Sequence, residues 1–298
     1  MKLHGAFNLI DRQTCQRQVM RVSEDLRPRK GQHLARYLSK DGTCLTYRCT
    51  GTGSHIIFVH GSATDGGRWL PVLPFFEPRF TACVLDRRGH GESADAASYC
   101  IEAEFDDIAS LTAAVDSDPV DVVASSYGAL CALGAACRGA RIRRLVLYEP
   151  PLPLQPGSYF RPSLSRTMRE ALARNDKEAA YQAFAADALA MSPQEIDAMR
   201  RLGPWTALVG MAALILRELE SVERLIGRPA LFRECPAPTL LLVGGESPPQ
   251  YRTTAEALSA VLPLSRIVIL PHQGHLAIST APELFANEVI DFLTAAVV

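Results

Sequence analysis

The sequence predicts an α/β protein with a mostly parallel sheet, and three observations support this fold class. First, short apolar runs alternate with helical patterns from Tyr37 onward, as in chains that wind a parallel sheet. Second, most of these runs are apolar throughout, which is typical of strands covered on both faces. Third, one long segment carries helical patterns alone, as expected of an insert between two strands.

The strands follow from these runs in order. Asp41-Gly42 is a hairpin turn signal between residues 35–38 and 44–49, so we expect the first two strands there. Further runs predict buried strands at residues 56–61, 81–86, 120–125, 143–149, 239–245 and 266–271. Between them, helical patterns predict helices at residues 104–115 and 128–138. The motif Thr280-Ala-Pro-Glu283 resembles a capping box and predicts the start of the last helix.

The insert spans residues 152–235, between two parts of the sheet at residues 35–151 and 236–298. It contains a capping box motif, Ser192-Pro-Gln-Glu195, and a run at residues 205–216 that is apolar all round and should therefore be covered. Sites in such sheets lie at the carboxyl edge, so we expect the insert to be a cap over that edge. We expect Trp205 and Leu216 to line a substrate pocket. A mere extension of the core is the alternative. Residues 1–34 match no strand pattern and are expected to form an N-terminal arm.

Composition restricts the classes of function. The 298 residues are 48% hydrophobic and 21% charged, and the net charge is −1. Such a chain has no electrostatic drive toward nucleic acid or anionic lipid, so we expect a small-molecule partner. The longest apolar run is far shorter than the roughly 18 residues of a membrane span. In the absence of a secretory signal pattern, we expect a cytoplasmic protein whose eight cysteines are reduced. The oligomeric state stays open.

A candidate nucleophile lies in the stretch Asp121 to Leu130, where two serines follow an apolar run. A serine at a strained strand-to-helix elbow needs small residues two positions before and two positions after it. Ser126 has Ala124 and Gly128 there, whereas Ser125 has Val123 and Tyr127, which are too large. Ser126 is therefore the candidate.

Two further segments supply the remaining parts of a catalytic serine site. His60-Gly61-Ser62 ends an earlier strand, so the backbone N–H groups of Ser62 and Tyr127 are candidates for an oxyanion hole. His275 follows the last strand and is the candidate general base. His272 is interpreted as a surface histidine.

The chain resembles the α/β-hydrolase fold superfamily over roughly residues 35 to 298. The resemblance rests on HGSATDGGRW (60–69), DRRGHGES (86–93), ASSYG (124–128) and GH (274–275), in the family's order. It implies a serine hydrolase with an eight-stranded sheet, helices on both faces and a helical cap after the sixth strand. It also implies that residues 87–91 form a structural turn, and that neither a metal nor an organic cofactor is needed.

The sequence departs from the family pattern at the acid of the triad. Ser247 stands where members usually have aspartate after the seventh strand, and a serine cannot stabilise an imidazolium by charge. Glu246, on the same loop, is one candidate. Glu149, at the end of the sixth strand, is the other, and some family members similarly take their acid from there. We favour Glu149, because its apolar and proline-rich surroundings make an unpaired charge costly.

Together these features predict a serine hydrolase that cleaves an ester, lactone or thioester bond of a small, largely apolar substrate. A carbon–carbon bond hydrolase, a lyase or a perhydrolase on the same triad is the alternative within the fold. A ligand receptor with slow turnover is the alternative outside enzymes.

Overall fold

The computed structural model describes residues 33–201 and 203–296. Within them, one eight-stranded sheet has the order β1-β2-β4-β3-β5-β6-β7-β8. The strands are β1 (His33–Leu38), β2 (Cys44–Gly51), β3 (Ser54–Val59), β4 (Phe80–Asp86), β5 (Val120–Ser125), β6 (Ile142–Tyr148), β7 (Thr239–Gly244) and β8 (Ser265–Leu270). The predicted parallel sheet is confirmed, and only the contacts of β2 with β1 and β4 are antiparallel.

Helices surround the sheet. They are α1 (Leu73–Phe76), α2 (Ile101–Val115), α3 (Tyr127–Cys137), α4 (Leu164–Ala173), α5 (Lys177–Asp187), α6 (Pro193–Arg200), α7 (Trp205–Gly210), α8 (Ala212–Arg224), α9 (Pro249–Ser259), α10 (Ala277–Thr280) and α11 (Pro282–Thr294). Two apolar clusters join helices to the sheet, one including side chains of α2, α3 and α9 and the other including side chains of α1 and α11. All six residues of β5 are buried, as expected of a central parallel strand. The six parallel strands end at one edge, where the candidate site residues lie.

The segment between β6 and β7 contains α4 to α8, and we call residues 152–235 the helical insert. Its helices share a third apolar cluster, separate from the two that cover the sheet. The capping box at Ser192 is confirmed, since its hydroxyl accepts from Glu195 N while the Glu195 carboxylate accepts from Ser192 N. The apolar run 205–216 forms two helices rather than one, with Met211 between them.

The ends of the chain hold two differences from the sequence predictions. His33 and Leu34 belong to β1, and the rest of the expected N-terminal arm lies outside the described residues. The capping box at Thr280 is wrong: α11 starts at Pro282, and the Thr280 hydroxyl donates to Gln273 Oε1 at 2.7 Å instead. Thr280 is the last residue of α10, so its side chain is not at a helix start.

The prediction that all cysteines are reduced is wrong for one pair. Cys49 of β2 and Cys83 of β4 stand directly opposite each other in the antiparallel register, and they form a disulfide with 4.1 Å between their Cα atoms. Directly opposed residues that do not share hydrogen bonds approach most closely in an antiparallel pair, which brings the two sulfurs within reach. No short cysteine motif in the sequence predicts this disulfide, because 34 residues separate the two cysteines. Within residues 33–201 and 203–296, none of the helices combines the length and the apolar composition of a membrane span.

Candidate active site

Ser126 sits at a sharp turn between β5 and α3. Its φ of 53° and ψ of −127° lie in a region that residues other than glycine rarely adopt. The turn is fixed from both sides, because Ser126 N donates to Tyr148 O at 2.8 Å and Ser126 O accepts from Ala129 N at 2.8 Å. Ser126 is half-buried whereas Ser125 is buried, so Ser126 is the more accessible of the two serines.

Small residues around Ser126 are required by close packing. A Cβ atom on Gly128 would come within 2.2 Å of His60 O, which no side chain tolerates. Ala124 is fully buried between Val59 of β3 and Leu147 of β6. The strand and helix that flank Ser126 can therefore pack closely only with the small residues that the sequence has at these positions, as a strained serine elbow requires.

His275 lies on the loop after β8, and its partner is Glu149. The His275 Nδ1 atom is 2.5 Å from Glu149 Oε2, and Glu149 Oε1 accepts from Gly244 N at 2.8 Å. The Glu149 carboxylate is fully buried, and its backbone also has a positive φ, 50°. Both carboxylate oxygens therefore have partners, which offsets the cost of burying the charge.

Glu246, the other candidate acid, lies near His272 and not near His275. Its side chain is 58% exposed and lies 3.7 Å from Nδ1 of His272, whose side chain is 90% exposed. The structure thus brings Glu149, and not Glu246, into contact with His275.

Two tyrosine rings lie against the imidazole of His275. The Tyr251 ring stacks on it with 4.9 Å between centroids and 19° between planes, and the Tyr148 ring does so at 6.0 Å and 22°. The Tyr148 hydroxyl also donates to Gly274 O and accepts from Ala277 N, so it holds both sides of the histidine loop. Sequence reasoning missed both tyrosines, although Tyr148 directly precedes Glu149.

The two candidate oxyanion donors belong to segments next to Ser126. A Cβ atom on Gly61 would lie 2.8 Å from Ser126 Cβ and 3.4 Å from its Oγ, so the backbone that leads into Ser62 runs beside the serine side chain. Tyr127 is the first residue of α3, where a backbone N–H has no acceptor within the helix. Both N–H groups come from elements that converge on Ser126.

Comparisons with known proteins identify the family of this chain. Residues 56–288 match the model of the alpha/beta hydrolase family. The chain belongs to this family. The protein is therefore a hydrolase, as the sequence resemblance predicts.

Several relatives of this hydrolase cover most of its length. A 2-hydroxy-6-oxo-6-(2'-aminophenyl)hexa-2,4-dienoic acid hydrolase from Metapseudomonas resinovorans is 23% identical over 88% of this chain and 91% of its own. A pimeloyl-[acyl-carrier protein] methyl ester esterase from Neisseria meningitidis is 25% identical over 80% of this chain and 93% of its own. The solved structure of an alpha/beta hydrolase from Sphaerobacter thermophilus is 28% identical, with a TM-score of 0.77 over 87% of this chain and all of that one.

The helical insert of this hydrolase keeps the predicted pocket residues in its own core. Trp205 is 6% exposed and meets the Tyr181 ring edge-on at 5.2 Å, and Leu216 is 9% exposed in the same cluster. Ala63, next to Ser62, packs against this cluster from the sheet side. That Trp205 and Leu216 line a substrate pocket therefore stays a prediction.

Residues 33–201 and 203–296 contain no candidate metal site. In that part of the chain, no three histidine, cysteine, aspartate or glutamate side chains lie close enough together to hold a metal ion.

Proposed function

We propose that this hydrolase uses Ser126 as nucleophile, His275 as general base and Glu149 as the acid that orients the histidine. The observation that carries this proposal is the contact of 2.5 Å between His275 Nδ1 and the buried Glu149 carboxylate. The carboxylate fixes the proton on Nδ1 and leaves Nε2 to exchange a proton with the serine. It also stabilises the imidazolium that forms during the reaction.

The reaction follows from these roles. Ser126 Oγ attacks the carbonyl carbon of the substrate while its proton moves to His275 Nε2. The negative charge that develops on the carbonyl oxygen is bound by the N–H groups of Ser62 and Tyr127. The imidazolium then protonates the leaving alkoxide or thiolate, and the bond to the leaving group breaks. A water molecule then attacks the acyl carbon while one of its protons moves to His275 Nε2. The imidazolium returns a proton to Ser126 Oγ as the bond between the serine and the acyl group breaks, and the acid product leaves.

We propose a carboxylic ester, lactone or thioester of a small, largely apolar molecule as substrate. The relative from Neisseria meningitidis is named as a methyl ester esterase, which supports an ester bond. The relative from Metapseudomonas resinovorans is named as a hydrolase of an oxo-dienoic acid, and this name keeps carbon–carbon bond hydrolysis as the second candidate. The two reactions can share one triad, so the products distinguish them.

We also propose that the helical insert is a cap over the site. Its apolar cluster includes Trp205 and Leu216 and rests on Ala63, the residue after the proposed oxyanion donor Ser62. A change of volume inside this cluster would shift the face that the insert presents to the substrate. Trp205 and Leu216 therefore set substrate size through the shape of this face.

A serine-directed probe tests the proposal. A fluorophosphonate should add one label to the intact protein, and peptide mapping should place that label on Ser126. The variant Ser126→Ala should lose both the label and the hydrolysis of p-nitrophenyl esters, with thermal stability unchanged or raised because functional residues are selected for activity and not for stability. Ser125→Ala is the matched control and should retain the label. A label on Ser125, or on no serine, contradicts the proposed function.

A further inference from the structure

The carbonyl oxygen of Gly61 accepts two hydrogen bonds from buried side chains. Arg87 Nη1 donates to it at 3.0 Å, and His60 Nδ1 lies 2.8 Å from it. This carbonyl belongs to the same peptide group as the backbone N–H of Ser62. Whatever holds the Gly61 oxygen therefore also sets the direction of the Ser62 N–H.

The protonation of His60 is fixed by its neighbours. His60 Nε2 accepts from the backbone N–H of Arg87 at 3.1 Å, so the ring proton sits on Nδ1 and is donated to Gly61 O. Burial, with a smaller contribution from the Arg87 charge, lowers the pKa of His60 to about 3. His60 is thus a neutral donor in a single tautomer.

Arg87 itself is held by two carboxylates. Its Nε and Nη2 atoms donate to Glu104 at 2.9 and 2.6 Å, and Nη2 also donates to Glu218 at 2.5 Å. The arginine is fully buried, and its guanidinium lies 4.8 Å from the centre of the Tyr127 ring. It therefore contacts the peptide group that carries one proposed oxyanion donor, Ser62 N–H, and also the side chain of Tyr127, whose backbone supplies the other.

Glu218 brings the helical insert into this network. It lies on α8, where it follows Ile215 by three positions and precedes Val222 by four, so it falls on the buried face of that helix. Besides Arg87, its carboxylate contacts His90 Nε2 at 3.1 Å, and His90 Nδ1 lies 3.2 Å from Thr64 O. Glu218 of the insert is thereby linked to both ends of the loop that contains Ser62. It reaches Gly61 O through Arg87 and Thr64 O through His90.

We propose that Arg87 is a positioning residue that, held by Glu104 and by Glu218 of the insert, fixes and polarises the Gly61–Ser62 peptide. A hydrogen bond to the carbonyl of a peptide strengthens the N–H of the same group as a donor, and a preset donor needs no reorganisation when the oxyanion forms. The proposal rests on the proposed function, because it assigns Ser62 N–H to the oxyanion.

The variant Arg87→Lys tests the proposal. A lysine keeps the positive charge for Glu104 and Glu218, but it lacks the guanidinium fork that reaches Gly61 O. Removing a whole oxyanion donor lowers kcat by about 10²–10³, so weakening one should lower kcat by about tenfold to 100-fold with KM unchanged. The inhibition constant of a boronic acid, whose tetrahedral adduct on serine mimics the oxyanion, should rise by the same factor.

Arg88→Lys is the matched control. Arg88 is equally buried and donates twice to Asp107, at 2.7 Å each, and once to Asp41 at 3.0 Å. The same substitution there carries a similar cost in folding and should leave kcat and boronic acid inhibition unchanged. An equal loss in both variants overturns the proposal, as does an Arg87→Lys protein that folds and retains both constants.

A measurement on the resting protein separates this proposal from the proposed function. Labelling glycine carbonyls with ¹³C and serine amides with ¹⁵N selects three pairs, 53–54, 61–62 and 157–158. Arg87→Lys should shift the amide signal of pair 61–62 and leave the other two in place, whether or not Ser126 takes the fluorophosphonate. If Arg87→Lys does not fold, the variant Glu218→Gln tests the proposal instead. Glutamine keeps the shape of the Glu218 side chain but weakens its hydrogen bond with Arg87, because the negative charge is removed. Unchanged kcat, boronic acid inhibition and amide signal in Glu218→Gln then overturn the proposal.

Discussion

The ends of β6 and β7 carry two glutamates that the sequence alone presents as near equals. Glu149, directly after β6, has no exposed side-chain surface and contacts His275. Glu246, just after β7, is mostly exposed and contacts His272. The strands are neighbours and run in the same direction, so both glutamates lie at the carboxyl edge of the sheet. Position along the sheet does not separate them, but burial does.

In the proposed triad, the two strand ends divide one task. The β6 end supplies the carboxylate, and the β7 end supplies the backbone N–H of Gly244 that binds its second oxygen. A carboxylate held by an imidazole and by a backbone N–H cannot rotate freely, so it keeps the histidine oriented. The β7 end thus holds the proposed acid without providing it.

Between the two strand ends, the largest expected effect comes from removing the charge at the β6 end. Glu149→Gln keeps the shape of the side chain but cannot stabilise the imidazolium or select its tautomer. We expect kcat for an ester substrate to fall by about 10³–10⁴ with little change in KM, the pattern of an interaction made only in the transition state. Steady-state kinetics measures this, and thermal unfolding verifies that the variant is folded. A loss below tenfold would leave Glu149 a structural residue.

A smaller effect is expected from restoring a carboxylate at the β7 end. Ser247 stands where members of the family usually have aspartate, and its hydroxyl oxygen is buried. In the Glu149→Gln background, Ser247→Asp should raise kcat by about tenfold over the single variant, because a carboxylate supplied to His275 from the β7 loop would take over part of the lost role. The double variant with Ser247→Asn is the matched control, since it adds the same volume without charge. Equal activity in the two double variants would show that the β7 loop does not direct a side chain at His275.

The fold and the candidate site residues could be predicted because their signals are local. A turn signal predicted the first two strands and apolar runs predicted the other six, and the size of the neighbouring residues favoured Ser126 over Ser125 as the candidate nucleophile. Gly128 shows why size is informative, since a side chain there would collide with the backbone at His60. Such requirements involve only residues close in the chain or one strand away.

The remainder depends on contacts between distant segments. The Cys49–Cys83 disulfide follows from the register of β2 and β4, and no motif encodes that register. The contact between Arg87 and Glu218 joins segments 131 residues apart, although Glu218 does carry a signal as a charge on an apolar helix face. Tyr251 likewise reaches His275 only because α9 packs beside the last strand.

The smallest effect is expected at Glu246. Its partner His272 lies at 3.7 Å, and both side chains are largely in solvent. A surface pair of this kind contributes about 0–1 kcal/mol, because water screens the charges and two mobile side chains must be ordered. Glu246→Gln should therefore lower kcat by less than about tenfold and leave the unfolding temperature nearly unchanged. His272→Gln is its matched control and should give the same small result, since it removes the other half of the pair. If Glu246→Gln instead loses more activity than Glu149→Gln, the loop after β7 supplies the acid, and the buried carboxylate at the β6 end serves stability alone.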